Sequence, residues 1–300
     1  MKSQLPVGTS DNPGEAKPQV ARRDFLKTSA LGAMTVVSAA TLPTTAAPEK
    51  APRRKKTFLV VEGHMDDAEI GAGGVMIQAA RAGHRVVIVT VAGDYTSWEP
   101  TRGREEATEA KLVELAKSFG FEKRLLRGKY HQTTANLELK RTLADIYVEL
   151  KPDVCLISHY EDHWPDHRES GLAAKDAFLF SHGLSTHDLT PYRARLILAY
   201  GVTPVQTYHF EPDVYYDVSD VMPEYMDLIA RVEATRTGRT VEQEIRYEVQ
   251  TKNGRRKPMA LSAHGFTRFA EAARWGNAAG CEFAVGFRTV FGQMRGPDLI

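Results

Sequence analysis

From Thr57 onward the chain alternates short β-branched runs with longer segments of helical periodicity, and few architectures accommodate that pattern. Strands joined by crossover helices run in one direction and bury both sheet faces, so the alternation predicts an α/β fold with a mostly parallel sheet and flanking helices. TFLVVEG opens the series, and a helix follows from about Glu69 to Ala82, stopped by Gly83. HRVVIVTVA reads as a buried second strand. A charged helix spans about Arg104 to Phe119 with Gly120 as its stop, followed by a short strand at 124–126 and a helix over 137–150 that ends before Pro152. DVCLISH, RLILAY and VYYDVS supply further strands, helices are expected at 221–234, 240–248 and 264–275, and EFAVGFRTVFG reads as a final strand or extended packing segment. No internal repeat and no long linker interrupts residues 57–300, so they are expected to form a single domain.

Residues 1–56 differ in character. Arg22 and Arg23 precede Asp24-Phe25-Leu26-Lys27, a weakly apolar stretch runs from Ala30 to about Leu42, and small residues follow at Thr45-Ala46-Ala47. The segment is similar to a twin-arginine export signal over 1–47, with 48–56 as a linker. Its apolar stretch is shorter than the roughly 20 residues that span a bilayer, so no stable membrane span is expected in the mature chain. Cleavage is expected near Ala47, with Ala40 as the alternative. The expected partner is the twin-arginine export machinery, which carries folded proteins, and the expected location is periplasmic or extracellular. The full chain holds 39 Lys plus Arg against 38 Asp plus Glu, and residues 1–47 remove five basic and three acidic groups, leaving a nearly neutral protein. Such a balance lacks the field that nucleic-acid binding uses. Cys155 and Cys281 are too few for a disulfide scaffold or a cysteine-rich metal module.

Chemistry concentrates where two of the strands end. The first runs into His64-Met65-Asp66-Asp67-Ala68-Glu69, and DVCLISH runs into His159-Tyr160-Glu161-Asp162-His163-Trp164-Pro165-Asp166-His167. Ligands of open α/β sheets bind beyond the carboxyl ends of the strands, so both clusters can face one pocket. A helix start would account for one capping carboxylate, but not for a histidine beside two aspartates. A histidine from one cluster with a histidine and an aspartate from the other makes the donor count of a catalytic zinc with an open position for water.

The stretches GHMDDAEIGAGG, GHRVVIVTVAGD and KPDVCLISHYEDHWPDHRES resemble the PIG-L/LmbE family of zinc-dependent N-acetylglucosaminyl deacetylases, with further agreement at Thr101-Arg102-Gly103, FEPDVYYDVSD and RWGNAAGCEFAVGF. The resemblance implies a Rossmann-like sheet and one zinc ion held by His64, Asp67 and His167, with Asp66 as general base. The reaction it implies is hydrolysis of the N-acetyl amide of an amino sugar. Family members usually carry His immediately before Pro-Asp-His, where this chain has Trp164 and places a histidine one residue earlier, at His163. His163 and His264, in SAHGF, are the two candidates for the acid or oxyanion donor, Asp166 is expected to orient a histidine, and Trp164 and Arg102 are candidate substrate contacts.

Two other function classes fit part of the pattern. A non-haem iron oxygenase could use His64-x-Asp66 with a distant histidine, although that leaves Asp67 without a role. A carbohydrate-binding protein could retain the metal and lack catalysis. Gly71, Gly73 and Gly74 superficially suggest a dinucleotide loop, but the acidic turn before them would repel phosphates. Glu69 is expected to support the loop, and His84, His131, His182, His187 and His209 are expected to be structural or exposed.

Overall fold

The computed structural model describes residues 54–187, 192–202, 210–249, 259–293 and 299–300. The expected export segment and His209 lie outside the described residues. Seven strands form the main sheet: β1 (Thr57–Glu62), β2 (Arg85–Thr90), β3 (Phe121–Leu125), β4 (Val154–Ser158), β5 (Leu196–Tyr200), β6 (Val214–Asp217) and β9 (Ala284–Phe291), in the order β3-β2-β1-β4-β5-β9-β6. The first five pair in parallel, and β9 runs antiparallel between β5 and β6. This is the mostly parallel α/β sheet that the alternation implies, in the Rossmann-like form that the resemblance implies. The chain order reverses direction at β1 and β4, which lie side by side with Phe58 opposite Val154 and Val61 opposite Ile157. That juncture is the crevice in which open sheets of this kind bind ligands.

Crossover helices cover both faces. α1 (Asp67–Arg81), α2 (Glu105–Ser118) and α6 (Met222–Thr237) pack with Phe58, Val60, Val86 and Ile88; α3 (Leu137–Leu150) and α4 (Pro165–Leu179) pack with Leu59, Val61, Val87 and Val89. Successive residues of one strand thus enter different cores, as the period of two requires when both faces are buried. α5 (Ser181–Leu184) is a single turn after α4. Gly71, Gly73 and Gly74 have a packing role: a Cβ on Gly71 would lie 2.2 Å from the Tyr200 ring, on Gly73 2.7 Å from Tyr225, and on Gly74 2.8 Å from Val218. The bare backbone lets α1 approach its neighbours closely.

Besides β3, which starts at Phe121 rather than near 124, three elements differ from the sequence expectation. The helix expected at 240–248 is only α7 (Val241–Glu244), one turn closed by a Thr240–Gln243 capping box; β7 (Tyr247–Val249) follows and pairs with β8 (Met259–Leu261). The aromatic and β-branched side chains of Tyr247 and Val249 favour the strand. The segment after β4 is α4, fifteen residues long, where the sequence reading named no helix. Its signal is Pro165 in the first turn, a position that tolerates a missing N–H. α1 starts at Asp67, two residues earlier than expected, which places that carboxylate in the first helical turn. α8 (Ala263–Ala279), capped by Ser262, brings the C-terminal histidine His264 to the domain. No helix among the described residues is long and apolar enough to cross a membrane.

α4 is seated against the end of β4 through Gly171, where an added Cβ would stand 2.1 Å from the Ser158 carbonyl oxygen. Backbone on both sides leaves nothing flexible to yield. Gly171→Ala should destabilise the fold by about 1–3 kcal/mol through overpacking, read from urea unfolding midpoints. An unchanged midpoint would mean that α4 is not held this closely.

Candidate metal centre

The loop from β1 into α1 is fixed from below by a buried cluster of charges. Glu62, the last residue of β1, accepts the Ala68 N–H at 2.9 Å and the Thr90 hydroxyl, and lies 2.8 Å from Lys123 Nζ. Lys123 reaches from β3 to donate to the Met65 carbonyl and to Glu69, each at 2.8 Å. Burial disfavours the ammonium, but the charges of Glu62 and Glu69 outweigh it and hold Lys123 above its ordinary pKa. A cation thus ties together the backbone of the loop and both carboxylates beside it. Glu69 supports the loop, as the sequence suggests, whereas the part played by Lys123 was not foreseen.

Above this base, His64, Asp67 and His167 converge. One donor atom from each lies within 4.8 Å of the others, and all three residues are buried. His64 Nδ1 faces His167 Nε2 at 2.9 Å, and His167 Nε2 lies 3.2 Å from Asp67 Oδ1. The other nitrogen of each ring faces a different carboxylate: His64 Nε2 lies 2.9 Å from Asp166 Oδ2, and His167 Nδ1 lies 3.3 Å from Asp162 Oδ1. Carboxylates behind the rings favour the tautomers whose lone pairs point inward, the arrangement that orients histidines on a metal. Asp166 is itself held by the backbone N–H groups of His131 and Thr133, at 2.6 and 3.0 Å. Asp67 Oδ2 accepts the His64 backbone N–H at 2.7 Å, which leaves Oδ1 toward His167.

The electrostatics agree with this donor set. Burial works against a charged His167, but Asp67 and Asp162 push its pKa up to about 10. Burial opposes the charged form of His64 as well, and Asp67 and Asp166 raise it. Burial would raise the Asp67 carboxyl, yet the two imidazoles hold it well below the ordinary carboxylate range. Asp166 is lowered to about 2, against its burial, by His64 and the two backbone donors. The cluster therefore stabilises positive charge at the point where the three donors meet. Two imidazoles and one carboxylate, with oriented outer partners, fit a divalent ion such as zinc.

A cavity of about 180 Å³ opens beside these residues, and its wall includes Asp66, Tyr130, Trp164, Arg236 and His264. Asp66 is buried and lies 3.2 Å from Arg236 Nε. Trp164 stands edge-on to His64, 6.2 Å between ring centres, and Tyr130 lies 4.9 Å from the same ring. His264 Nδ1 pairs with the Glu233 carboxylate on α6.

Of the residues singled out from the sequence, the structure brings His64, Asp66, Asp67, His167, Trp164 and His264 to the cavity. Asp166 stands behind His64 rather than on the cavity wall. His163 is not brought there: it is exposed, because Trp164 turns inward and its neighbour consequently faces out. Arg102 is not brought there either; its exposed side chain pairs with Glu99 at 2.7 Å across the short turn Glu99–Thr101. His131 is exposed as expected, though its backbone N–H serves the site. Sequence reasoning missed Tyr130, Asp162, Glu233 and Arg236. Asp162 had a usable signal, a carboxylate between two histidines after a strand, whereas an arginine in the last turn of a helix reads as a solvated partner of its dipole.

Two measurements check this geometry. His64→Ala and His167→Ala should each abolish stoichiometric metal binding, while Asp162→Asn and Asp166→Asn should weaken zinc about 10–100-fold in chelator competition. Full occupancy in the alanine variants would refute the donor set. The His264–Glu233 pair should also make stability depend on pH. Burial opposes charge on both groups, but each is held in its charged form by the other, so His264 lies above its ordinary 6.5 and Glu233 below its ordinary 4.5. The histidine's contribution is complete below pH 6.5 and is lost as pH rises through its raised pKa; the carboxylate's is present above pH 4.5 and is lost as pH falls through its lowered pKa. The unfolding free-energy difference between wild type and His264→Gln should therefore be largest near pH 5.5 and shrink in alkali, and a difference independent of pH would contradict the pair.

Comparison with known proteins comes to the same region. Residues 59–178 match the PIG-L family profile, described as GlcNAc-PI de-N-acetylase. A search of curated protein sequences finds no match. Among solved structures, a conserved protein of Thermus thermophilus is similar with a TM-score of 0.61 and 21% identity, over 81% of this chain and 98% of that one. The N,N'-diacetylchitobiose deacetylase of Pyrococcus horikoshii is similar with a TM-score of 0.60 and 23% identity, over 82% and 89%. The 4-carboxy-2-hydroxymuconate hydratase of Pseudomonas putida gives 0.59 and 17%, over 80% and 98%. At these identities the structures speak for the fold. The profile match spans the loop after β1 and the first turns of α4 and so contains all three metal donors, which puts the chain's similarity to the PIG-L family at the site itself.

Proposed function

We propose that the protein is a zinc-dependent hydrolase that removes an N-acetyl group from an amino-sugar derivative. The observation that carries this reading is the convergence of His64, Asp67 and His167 beside a cavity whose wall holds a further carboxylate, Asp66. The fold by itself does not decide the reaction, since the similar structures include a hydratase as well as a deacetylase. The donor set, the family profile and the likeness to a deacetylase of diacetylchitobiose support amide hydrolysis.

Zinc bound to the three donors would supply Lewis acidity and bring the pKa of a water molecule to about 7. Asp66 then takes the proton of the attacking water, which adds to the amide carbonyl. His264, kept in its charged form by Glu233, hands a proton to the departing nitrogen, so that water and amide yield a free amine and acetate. His264 is favoured over His163 for this step because it lines the cavity. Trp164 and Tyr130 line the cavity beside the donors and offer aromatic surface to a sugar. Asp166 and Asp162 hold the two histidine ligands in the required tautomer. The oxygenase alternative takes Asp66 as a ligand, whereas the donors grouped here include Asp67, with Asp66 turned to Arg236. The arginine pair and small-residue segment before Pro48 support export by the twin-arginine route, after folding and metal loading.

Acetate release by the purified, zinc-loaded protein over a panel of N-acetylated amino sugars tests the reading. At least one should be hydrolysed, and Asp66→Asn should lower kcat by about 10²–10⁴-fold without loss of zinc. Tight sugar binding with no acetate release would favour a binding protein, and stoichiometric iron with oxidant-dependent turnover would favour the oxygenase. Full activity in Asp66→Asn would remove Asp66 from the role of base.

A further inference from the structure

Asp66 occupies the N-cap position of α1, yet its side chain makes no capping hydrogen bond. An aspartate at that position ordinarily turns its carboxylate onto the backbone N–H of the second or third helical residue. Here the second, Ala68, is already satisfied by Glu62 at 2.9 Å. The Asp66 carboxylate instead lies 3.2 Å from Nε of Arg236. Arg236 is in the last turn of α6, and its side chain is 15% exposed at the cavity wall. Burying a guanidinium is costly unless partners compensate it, so a cation at this point requires an explanation.

The guanidinium is held independently of Asp66. Its carbon sits 4.8 Å from the centre of the Trp98 ring, and that ring is packed against Tyr95 and Tyr130 at 5.6 and 6.0 Å. Arg104 Nη2 donates to the Arg236 carbonyl at 3.3 Å. The next turn is closed by Gly238 at φ +74, where a Cβ would meet the Arg104 guanidinium at 2.6 Å. The segment from Tyr95 to Arg104 therefore grips the end of α6 at two points and fixes where the Arg236 side chain emerges.

From this arrangement we infer that Arg236 is a positioning residue for Asp66. Glu62 occupies one of the two backbone donors that could draw the carboxylate into a capping role, and Arg236 draws it toward the cavity, where it can meet the attacking water. The inference rests on the reading of Asp66 as the base. An error in placing a reacting group by about 1 Å can cost about 10²-fold in rate, so this hold is large enough to matter.

The test compares Arg236→Met, Arg236→Lys, Asp66→Asn and the double variant Asp66→Asn/Arg236→Met. In zinc-loaded crystals of Arg236→Met, the Asp66 carboxylate should turn away from the cavity toward the α1 backbone while His64, Asp67 and His167 stay in place; an unmoved carboxylate overturns the proposal. This readout stands even if no acetylated sugar is hydrolysed. On a hydrolysed substrate, kcat should fall by about 10–100-fold in Arg236→Met with KM within about twofold, and added guanidinium should restore part of the loss. Removing Arg236 in the Asp66→Asn background should cost less than about threefold more. A rise in KM alone would make Arg236 a substrate contact instead, and equal losses in both backgrounds would show that it does not act through Asp66. Arg236→Lys, which keeps the charge but loses the planar fork, should show a smaller displacement and a smaller loss; if Arg236→Met does not fold, a wild-type kcat and an unmoved Asp66 in the lysine variant overturn the proposal. Activity lost in Asp66→Asn but retained in Arg236→Met defeats the positioning role and leaves the base in place.

Discussion

The site depends on β1 and β4 lying side by side and parallel at the point where the chain order of the sheet reverses. Each strand delivers its following segment to the same edge, and neither segment holds a complete donor set. His64 and Asp67 come from one, His167 from the other, and the carboxylates behind the rings both come from the second. Asp166, on α4, reaches back to His64, while the Asp162 loop serves His167. Loss of the strand pairing would thus remove the donors and their orienting partners together.

Two kinds of charge compensation meet at this edge. Below the loop, Lys123 balances Glu62 and Glu69, and it simultaneously holds the Met65 carbonyl, so the compensation also fixes geometry. Above the loop, Asp67, Asp162 and Asp166 surround two imidazoles, and the excess of carboxylate favours a cation at the point of convergence. A buried cluster of like charges is costly unless paired, and the two levels meet that demand differently: one with a lysine of the chain, the other with a proton or metal ion. Glu62 links the levels, because it takes the Ala68 N–H, one of the two donors a capping Asp66 would use, and Asp66 makes no capping bond.

Much of this was legible in the sequence, for reasons that particular residues make plain. The β-branched runs at Thr57 and Val154 are continuous because both sheet faces are buried, and their ends locate the two donor segments without any structural information. Donor types were concentrated at those ends, and the resemblance to the PIG-L/LmbE family singled out His64, Asp67 and His167 among them. His163 and Arg102 could not be excluded, since the direction of a side chain in a loop depends on what its neighbours bury; Trp164 turns inward, and Glu99 claims Arg102. Lys123 and Arg236 were out of reach. Each is a cation that local sequence assigns to solvent, and each is buried by partners far along the chain: Glu62 and Glu69 for the first, Asp66 and Trp98 for the second. The strand at Tyr247 was misread because a four-residue helix with a sound capping box precedes it.

Two strand ends place two imidazoles and a carboxylate around one point, and everything said of the chemistry requires that a single metal ion sit there. X-ray absorption at the zinc edge, on protein loaded with one equivalent, reads the coordination shell itself. Scattering is expected from two histidine rings with oxygen donors completing the shell, at about 2.0–2.2 Å and without sulfur. A sulfur contribution, or a shell with fewer than two imidazoles, would contradict this centre.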